Sequence, residues 1–208
     1  MSGRLVTLEG GEGAGKSSVM GALRAALEGR GLEVVQTREP GGTVAGEAIR
    51  KLLLDPAQAP CAATDLLLMF AARAQLVREV ILPARARGAW VLSDRFTDAS
   101  FAYQGGGRGL DAASIAELER MVVGFKPDLT FLLDVDVRKG HARLAGRDGG
   151  ADRIEREDEA FFERVRAGYL QRATHEPGRF RVIDASQPQA DVLRNVLAQL
   201  DCAIAAWV

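Results

Sequence analysis

The sequence predicts an α/β fold in three layers: an open, mainly parallel five-stranded sheet with helices on both faces. Two observations lead to this prediction. Five short apolar runs alternate with longer segments of helical periodicity, and such alternation implies right-handed crossovers between parallel strands. The apolar runs are also nearly continuous, which is typical of strands that are covered on both faces.

The elements follow from this alternation in chain order. The predicted strands span residues 5–8, 34–37, 90–92, 129–133 and 181–183. The predicted helices span residues 16–28, 45–53, 65–87, 111–123, 137–145, 158–173 and 189–205. Ligands of open α/β sheets bind beyond the carboxyl ends of the strands, so we expect functional residues there.

Two segments interrupt the alternation. Residues 105–109 include four glycines, and we predict that 104–109 is neither helix nor strand because glycine carries too much backbone freedom. Residues 145–157 carry Arg147, Arg153 and Arg156 around a stretch rich in glycine and aspartate. This second segment is predicted to be a charged, flexible connection between two helices.

Composition argues against several classes of protein. The 208-residue chain has 27 basic and 28 acidic residues, and its net charge of −1 argues against broad attraction to nucleic acid or membranes. No apolar run approaches the ~18 residues of a membrane span, and the first run is too short for a signal peptide. Cys61 and Cys202 are too few for a disulfide framework or a zinc cluster. We therefore expect one soluble, cytoplasmic domain with free thiols.

Residues 10–17 match the phosphate-loop pattern G-x-x-x-x-G-K-[ST]. They follow a predicted strand and open a predicted helix, which is the context that this pattern requires, so the fold is expected to be of the P-loop NTPase type. Lys16 would reach the β- and γ-phosphates of a nucleoside triphosphate, and the Ser17 hydroxyl would bind Mg²⁺. The predicted ATP site comprises Gly10, Gly11, Glu12, Gly13, Ala14, Gly15, Lys16, Ser17 and Ser18.

Glu12 is an unusual residue for such a loop, because a carboxylate repels polyphosphate unless it points elsewhere. Two interpretations stay open. Glu12 is either a solvated side chain or a carboxylate that faces a second substrate and accepts a hydrogen bond from a sugar hydroxyl. The loop also lacks arginine, so further positive charge for the transferred phosphoryl group must come from other segments.

Two predicted strands end in a carboxylate, Asp94 and Asp134, and either could hold Mg²⁺ in a P-loop enzyme. We prefer Asp94 because Arg95, a candidate phosphate ligand, follows it directly. Arg73 lies in a predicted helix between alanines, one turn after Met69, and it is either a solvated arginine or part of a pocket for a base and its phosphate.

Taken together, these segments resemble the bacterial thymidylate kinase family. The resemblance runs from Leu8 to Ala185 and rests on residues 8–17, 37–43, 94–96, 102–109 and 152–155. The phosphate loop is generic, whereas Arg-Glu-Pro-Gly-Gly-Thr at 38–43 and Ala-Tyr-Gln-Gly at 102–105 are specific to the family in this order. The resemblance implies one nucleotide-kinase domain, residues 1–208, with a mobile lid at about 145–157.

The resemblance also implies the reaction and the partners. The expected activity is ATP-dependent phosphorylation of dTMP to dTDP in deoxynucleotide biosynthesis, with Mg²⁺ as cofactor, by a homodimer that uses neither nucleic acid nor a membrane. Because the second pKa of a phosphate monoester is about 6, the acceptor needs no general base, and we interpret His141 and His175 as structural or solvated. Catalysis would then consist of charge neutralisation, positioning and exclusion of water.

The family's site residues map onto this chain one by one. The predicted contacts are Glu12 with the sugar 3′-hydroxyl, Arg73 and Arg95 with the dTMP phosphate, Asp94 on the Mg²⁺ side, Arg50 as a further nucleotide-side arginine, Ser100 and Gln104 with the thymine edge, and Tyr103 against the sugar 2′ position. Arg147 and Arg153 of the lid would supply the charge that the loop lacks. One departure concerns thymine stacking: Met69 stands where the family usually has an aromatic residue, so either Met69 or Phe70 contacts the base.

Three alternatives remain open at this stage. The chain could be a kinase for dUMP or GMP, or for a nucleoside, in which case Glu12 would be the candidate base for the hydroxyl proton. It could also be a non-enzymatic P-loop switch or a partition-type ATPase. The sequence argues against that last class, since it lacks an Asn-Lys-x-Asp guanine motif and carries a second-substrate loop.

Overall fold

A computed structural model of the chain describes residues 3–144 and 152–207. The strands are β1 (Leu5–Glu9), β2 (Val34–Arg38), β3 (Trp90–Asp94), β4 (Leu129–Asp134) and β5 (Phe180–Asp184). The α-helices are α1 (Lys16–Glu28), α2 (Val44–Leu54), α3 (Ala62–Leu76), α4 (Leu82–Ala86), α5 (Thr97–Ser100), α6 (Ala112–Val122), α7 (Val137–Leu144), α8 (Glu159–His175) and α9 (Gln189–Ala206). Two π-helical segments, Val77–Ile81 and Phe101–Gly107, continue α3 and α5.

The five strands form one sheet in the order β2-β3-β1-β4-β5, and every neighbouring pair is parallel. The predicted parallel sheet is therefore confirmed. Because β1 lies between β3 and β4, the chain segments that leave these three strands start beside one another, at the position where open α/β sheets bind ligands.

Each face of the sheet is covered by helices, as the continuous apolar runs predict. On one face α1 and α9 pack against alternate residues of the strands, with Leu23, Val196, Leu200, Val6 and Phe131 in a single buried cluster. On the other face α8 packs over β4 and β5, and the α3–α4 segment packs over β1 and β3. Among the described helices, none has the length and apolarity that crossing a bilayer requires.

Helix boundaries differ from the predicted ones where capping residues decide them. Asp111 and Asp158 precede their helices, and each carboxylate accepts a hydrogen bond from the backbone N–H three residues later. The helix predicted at 65–87 instead begins at Ala62 and continues through the π-helical segment Val77–Ile81.

The prediction that residues 104–109 contain no helix is wrong, because Phe101–Gly107 forms a π-helical segment. Packing against α8 explains the difference. A Cβ atom on Gly106 would lie 2.7 Å from the carbonyl oxygen of Arg164, and one on Gly107 would lie 2.5 Å from the Phe161 ring. The glycines therefore allow the two helical backbones to approach closely, and the tertiary contacts offset the backbone entropy that the prediction weighed.

Candidate functional site

A cavity of 1090 Å³ opens along the carboxyl ends of the central strands. Its wall includes the phosphate loop, the ends of α2 and β3, parts of α3 and the π-helical segment Phe101–Gly107, and the chain after β5. The predicted site residues on this wall are Glu12, Gly13, Ala14, Gly15, Lys16, Ser17, Ser18, Arg50, Met69, Asp94, Arg95, Tyr103, Gln104 and Arg153. The cavity is large enough for two nucleotides.

The phosphate loop presents an anion site at the start of α1. Gly15 caps the helix with φ 90°, and no side chain caps the first turn, so its backbone N–H groups remain available for phosphate oxygens. The Lys16 ammonium lies over the loop and donates to the carbonyl oxygens of Gly10 (3.2 Å) and Gly11 (3.0 Å). Burial, followed by the charge of Arg95, lowers the pKa of Lys16.

The loop rests directly on helix α7. A Cβ atom on Gly13 would lie 2.0 Å from the carbonyl oxygen of Gly140, and one on Gly140 would lie 2.4 Å from the carbonyl oxygen of Glu12. Arg143, one turn further along α7, lines the cavity and donates to the carbonyl oxygens of Gly13 (3.4 Å) and Ala185 (2.9 Å). Sequence reasoning missed Arg143, because its helix carries several basic residues and nothing in the sequence distinguishes Arg143 from a solvated one.

A second cluster joins Glu12, Arg95 and Tyr103. Arg95 Nη2 donates to Glu12 Oε1 at 2.6 Å, and the Tyr103 hydroxyl donates to the same oxygen at 3.0 Å. The Arg95 guanidinium also lies 4.7 Å from the centre of the Tyr103 ring. Although burial opposes its charge, Tyr103, Tyr169 and the nearby carboxylates raise the pKa of Arg95 well above its usual value. Glu12 is therefore not a solvated side chain, and its contact with a second substrate stays a prediction.

The two strand-end carboxylates differ in their partners. Both oxygens of Asp134 accept hydrogen bonds from Arg166, at 2.7 and 2.9 Å. Asp94 lines the cavity, and its Oδ1 is buried without a hydrogen-bond partner. A buried carboxylate oxygen without a donor suits a hard cation such as Mg²⁺. Ser17 offers a hydroxyl on the same wall.

A metal bound here would not be held by protein groups alone. Among residues 3–144 and 152–207, no cluster of three or more His, Cys, Asp or Glu side chains could hold an ion. Mg²⁺ commonly keeps several waters and binds to one or two carboxylates together with substrate phosphates. The residues present therefore fit Mg²⁺ that arrives with a nucleotide.

Gln104 and Met69 line the part of the cavity between α3 and the π-helical segment. The Gln104 side chain is 4% exposed, and its Oε1 is buried without a partner, so it can accept a hydrogen bond from a bound base. Met69 lies on the wall, whereas Phe70 is buried against Leu66 and Ile115. Between the two stacking candidates, the structure places Met69 at the cavity.

Arg73 lies behind the cavity wall. Its guanidinium is buried in an ion pair with Glu39 (2.7 Å) and donates to Ser100 Oγ (3.0 Å) and to the carbonyl oxygen of Phe96 (3.1 Å). Burial raises the pKa of Glu39, while the charge of Arg73 opposes that increase. Arg73 and Ser100 do not line the cavity in this structure. Their contacts with dTMP stay predictions.

The other predicted arginines have protein partners at the cavity. Arg50 donates to the carbonyl oxygen of Pro40 at 2.9 Å. Arg153 donates to the carbonyl oxygen of Leu53 at 2.7 Å and pairs with the buried carboxylate of Asp65. The two Arg153 contacts attach the described end of the predicted lid segment to α2 and α3. Arg147 lies outside the described residues.

A family model, curated relatives and a solved structure all match this chain to thymidylate kinases. The sequence model of the thymidylate kinase family matches residues 8–196. A thymidylate kinase of Alcanivorax borkumensis is 55% identical over 100% of both chains, and one of Chromohalobacter salexigens is 56% identical over 99% of this chain and 98% of its own. The crystal structure of thymidylate kinase from Ehrlichia chaffeensis matches with a TM-score of 0.78 and 32% identity, over 96% of this chain and 99% of that one.

Proposed function

The chain belongs to the thymidylate kinase family, whose reaction is ATP + dTMP → ADP + dTDP. We propose which residues of this chain bind each substrate and which stabilise the transferred phosphoryl group. The observation that carries the proposal is that one cavity contains both the phosphate loop and the Glu12–Arg95–Tyr103 cluster. ATP would bind at the loop and dTMP at the cluster. The attacking oxygen and the γ-phosphoryl group would then meet in line within a shared space.

The acceptor needs no proton removed, since a phosphate monoester has a second pKa of about 6 and is largely a dianion at neutral pH. The placement of the histidines supports this view. The ring of His141 packs edge-on against Phe162 at 4.7 Å, and His175 Nδ1 contacts the carbonyl oxygen of Gln171. Neither histidine lines the 1090 Å³ cavity.

The chemical difficulty is to bring two anions together, and the cationic groups of the cavity address it. Lys16 and the N–H groups of α1 would neutralise the phosphates of ATP, while Arg95 would receive the phosphate of dTMP. The phosphate would replace Glu12 on Arg95 Nη2, and the released carboxylate would accept a hydrogen bond from the sugar 3′-hydroxyl. Gln104 Oε1 would accept from the thymine N3–H, and Tyr103 would crowd the sugar 2′ position.

A panel of acceptors tests this function. The purified protein would be supplied with ATP, Mg²⁺ and dTMP, dUMP, GMP or thymidine, with release of ADP and formation of the phosphorylated acceptor both measured. We expect dTMP to be the best acceptor and thymidine to give no product. Preferential phosphorylation of thymidine would contradict the proposal, because it requires a general base that we assign to no residue.

We propose that Asp94 and Ser17 hold Mg²⁺, which when bound neutralises charge on the β- and γ-phosphate oxygens. Asp94→Asn should raise the Mg²⁺ concentration for half-maximal activity by about 10-fold. The Mg²⁺ titration of dTDP formation measures this change. Asp134→Asn is the matched comparison, since Asp134 is paired with Arg166 and should leave the titration unchanged. If Asp134→Asn shifts the titration and Asp94→Asn does not, the metal residue is Asp134.

Arg153→Ala should lower kcat by about 10-fold while KM for dTMP changes much less, because we assign Arg153 to the transferred phosphoryl group. Steady-state kinetics with varied dTMP provide the measurement. Arg156→Ala is the control, since Arg156 is exposed and does not line the cavity. A rise in KM for dTMP with unchanged kcat would reassign Arg153 to acceptor binding.

We also propose a cytoplasmic homodimer of single-domain subunits with a lid at about 145–157, as the family resemblance implies. Exposed apolar side chains on three helices that pack together support the dimer: Val44 on α2, Leu67 on α3 and Met121 on α6. Light scattering after size-exclusion chromatography should give about twice the 22.3 kDa mass of the chain. A monomer at micromolar concentration would contradict this assembly.

A further inference from the structure

The Arg95 guanidinium makes two kinds of contact. Its Nη2 donates to Glu12, whose carboxylate lines the cavity. Its Nη1 donates instead to the carbonyl oxygen of Gly10 (3.1 Å) and to the hydroxyl of Tyr169 (2.9 Å). Tyr169 is 1% exposed and does not line the cavity. One nitrogen therefore faces the acceptor site while the other is attached to the protein interior.

Tyr169 connects this interior nitrogen to Glu9. The Tyr169 hydroxyl accepts from Arg95 and donates to Glu9 Oε2 at 2.8 Å. The other carboxylate oxygen, Oε1, accepts from the backbone N–H of Phe96 at 2.7 Å. Glu9 thus holds both the chain directly after Arg95 and, through Tyr169, the end of the Arg95 side chain.

Arg95 needs such support because it lies between β3 and α5, where no helix or strand orients its side chain, and its backbone is strained. Its φ of 70° lies in the left-handed region, which is strained for a residue with a side chain. A free arginine side chain also loses rotamer entropy when it is fixed. Contacts that fix the guanidinium before substrate arrives lower the cost of binding in the reactive geometry.

We propose that Tyr169 and Glu9 are positioning residues, which hold the Arg95 guanidinium so that its Nη2 points at the acceptor phosphate. This inference rests on the proposed role of Arg95. Neither residue touches the cavity, so each acts through Arg95 and not on the nucleotide. When the acceptor phosphate displaces Glu12, the contacts to Nη1 would stay in place and keep the direction of the side chain.

The pKa of Glu9 is that of a buried side chain with a structural role and not that of a solvent-exposed acid. Burial, followed by the charge of Asp98, raises the pKa of Glu9 to about 8, while Arg95 and the hydrogen bonds from Tyr169 and Phe96 oppose that increase. Burial also raises the pKa of the Tyr169 hydroxyl well above its usual value, so this hydroxyl stays protonated and donates a hydrogen bond to Glu9.

The test compares Tyr169→Phe in two backgrounds. In the otherwise unchanged enzyme, the loss of this hydroxyl should lower kcat/KM for dTMP by about 10-fold, mainly by raising KM for dTMP, with KM for ATP within about twofold. In the Arg95→Ala background, the same substitution should change kcat/KM by less than about twofold, because the group that it positions is gone.

Two further variants separate positioning from stability. Glu9→Gln retains the size of the side chain but leaves one acceptor oxygen for two donors, the Phe96 N–H and the Tyr169 hydroxyl, and its effect should not add to that of Tyr169→Phe. Val165→Ala, one turn before Tyr169 and 1% exposed, should lower the melting temperature without raising KM for dTMP.

Equal losses from Tyr169→Phe in both backgrounds would overturn the inference, and so would an unchanged KM for dTMP in the single variant. If Arg95→Ala alone leaves kcat/KM unchanged, the proposed role of Arg95 itself is wrong. The two failures are therefore distinguishable from one set of measurements.

Discussion

Arg95→Ala is expected to lower kcat/KM for dTMP by about 10²-fold or more while the protein stays folded. The reason is that Arg95 is the cation nearest to Glu12 on the acceptor side, and its loss removes a charge-assisted, largely buried contact with the phosphate. The two other arginines predicted on the nucleotide side are not placed to replace it, because Arg73 is engaged behind the wall and Arg50 donates to Pro40. Initial rates at varied dTMP and saturating ATP measure the effect.

Arg24→Ala is the matched control, since Arg24 is an exposed arginine of α1 that pairs only with Glu28 among the described contacts. It should leave kcat/KM unchanged. Arg95→Lys should fall between the two, because an ammonium retains the charge but loses the fork of parallel donors. A folded Arg95→Ala enzyme with ordinary kinetics would remove Arg95 from the acceptor site.

Lys16→Met should lower kcat by about 10²- to 10³-fold, the size typical of losing one donor to charge that develops in the transition state. Methionine keeps the length of the side chain, so the loop can retain its shape. Most of the loss should appear in kcat and less in KM for ATP, since the N–H groups at the start of α1 would still bind phosphate. Steady-state kinetics at varied ATP measure kcat and KM for ATP separately.

Lys51→Met provides the comparison for this substitution, because Lys51 is exposed on α2 and does not line the cavity. Its kinetics should match those of the unaltered enzyme. A large rise in KM for ATP at constant kcat would limit Lys16 to binding the nucleotide before the reaction.

Much of the fold could be predicted from the sequence because the relevant signals are local. The sheet follows from apolar runs whose spacing allows helical crossovers, and the phosphate loop follows from glycines and a lysine between a strand and a helix. Asp94 and Arg95 could be proposed because they lie where a parallel strand ends. Each of these predictions depends on residues that are close together in the chain.

The remaining features depend on contacts between distant segments. The π-helical segment Phe101–Gly107 forms because α8, more than fifty residues later, packs against its glycines. The link from Arg95 to Tyr169 and Glu9 joins three separate elements, and in the sequence Tyr169 is one apolar residue of a helix among several. The burial of Arg73 has the same origin, since its partner Glu39 follows another strand. The spacing of these residues in the sequence does not predict that they are in contact.

The backbone contact between Gly13 and Gly140 has a mechanical consequence. Where two segments meet through side chains, rotamer changes can absorb a small displacement. Here the two backbones are in direct contact, so no side chain between them can adjust. Helix α7 therefore cannot tilt toward the loop without displacing the backbone N–H groups that we propose bind ATP. We therefore expect the loop and α7 to move together when either is displaced.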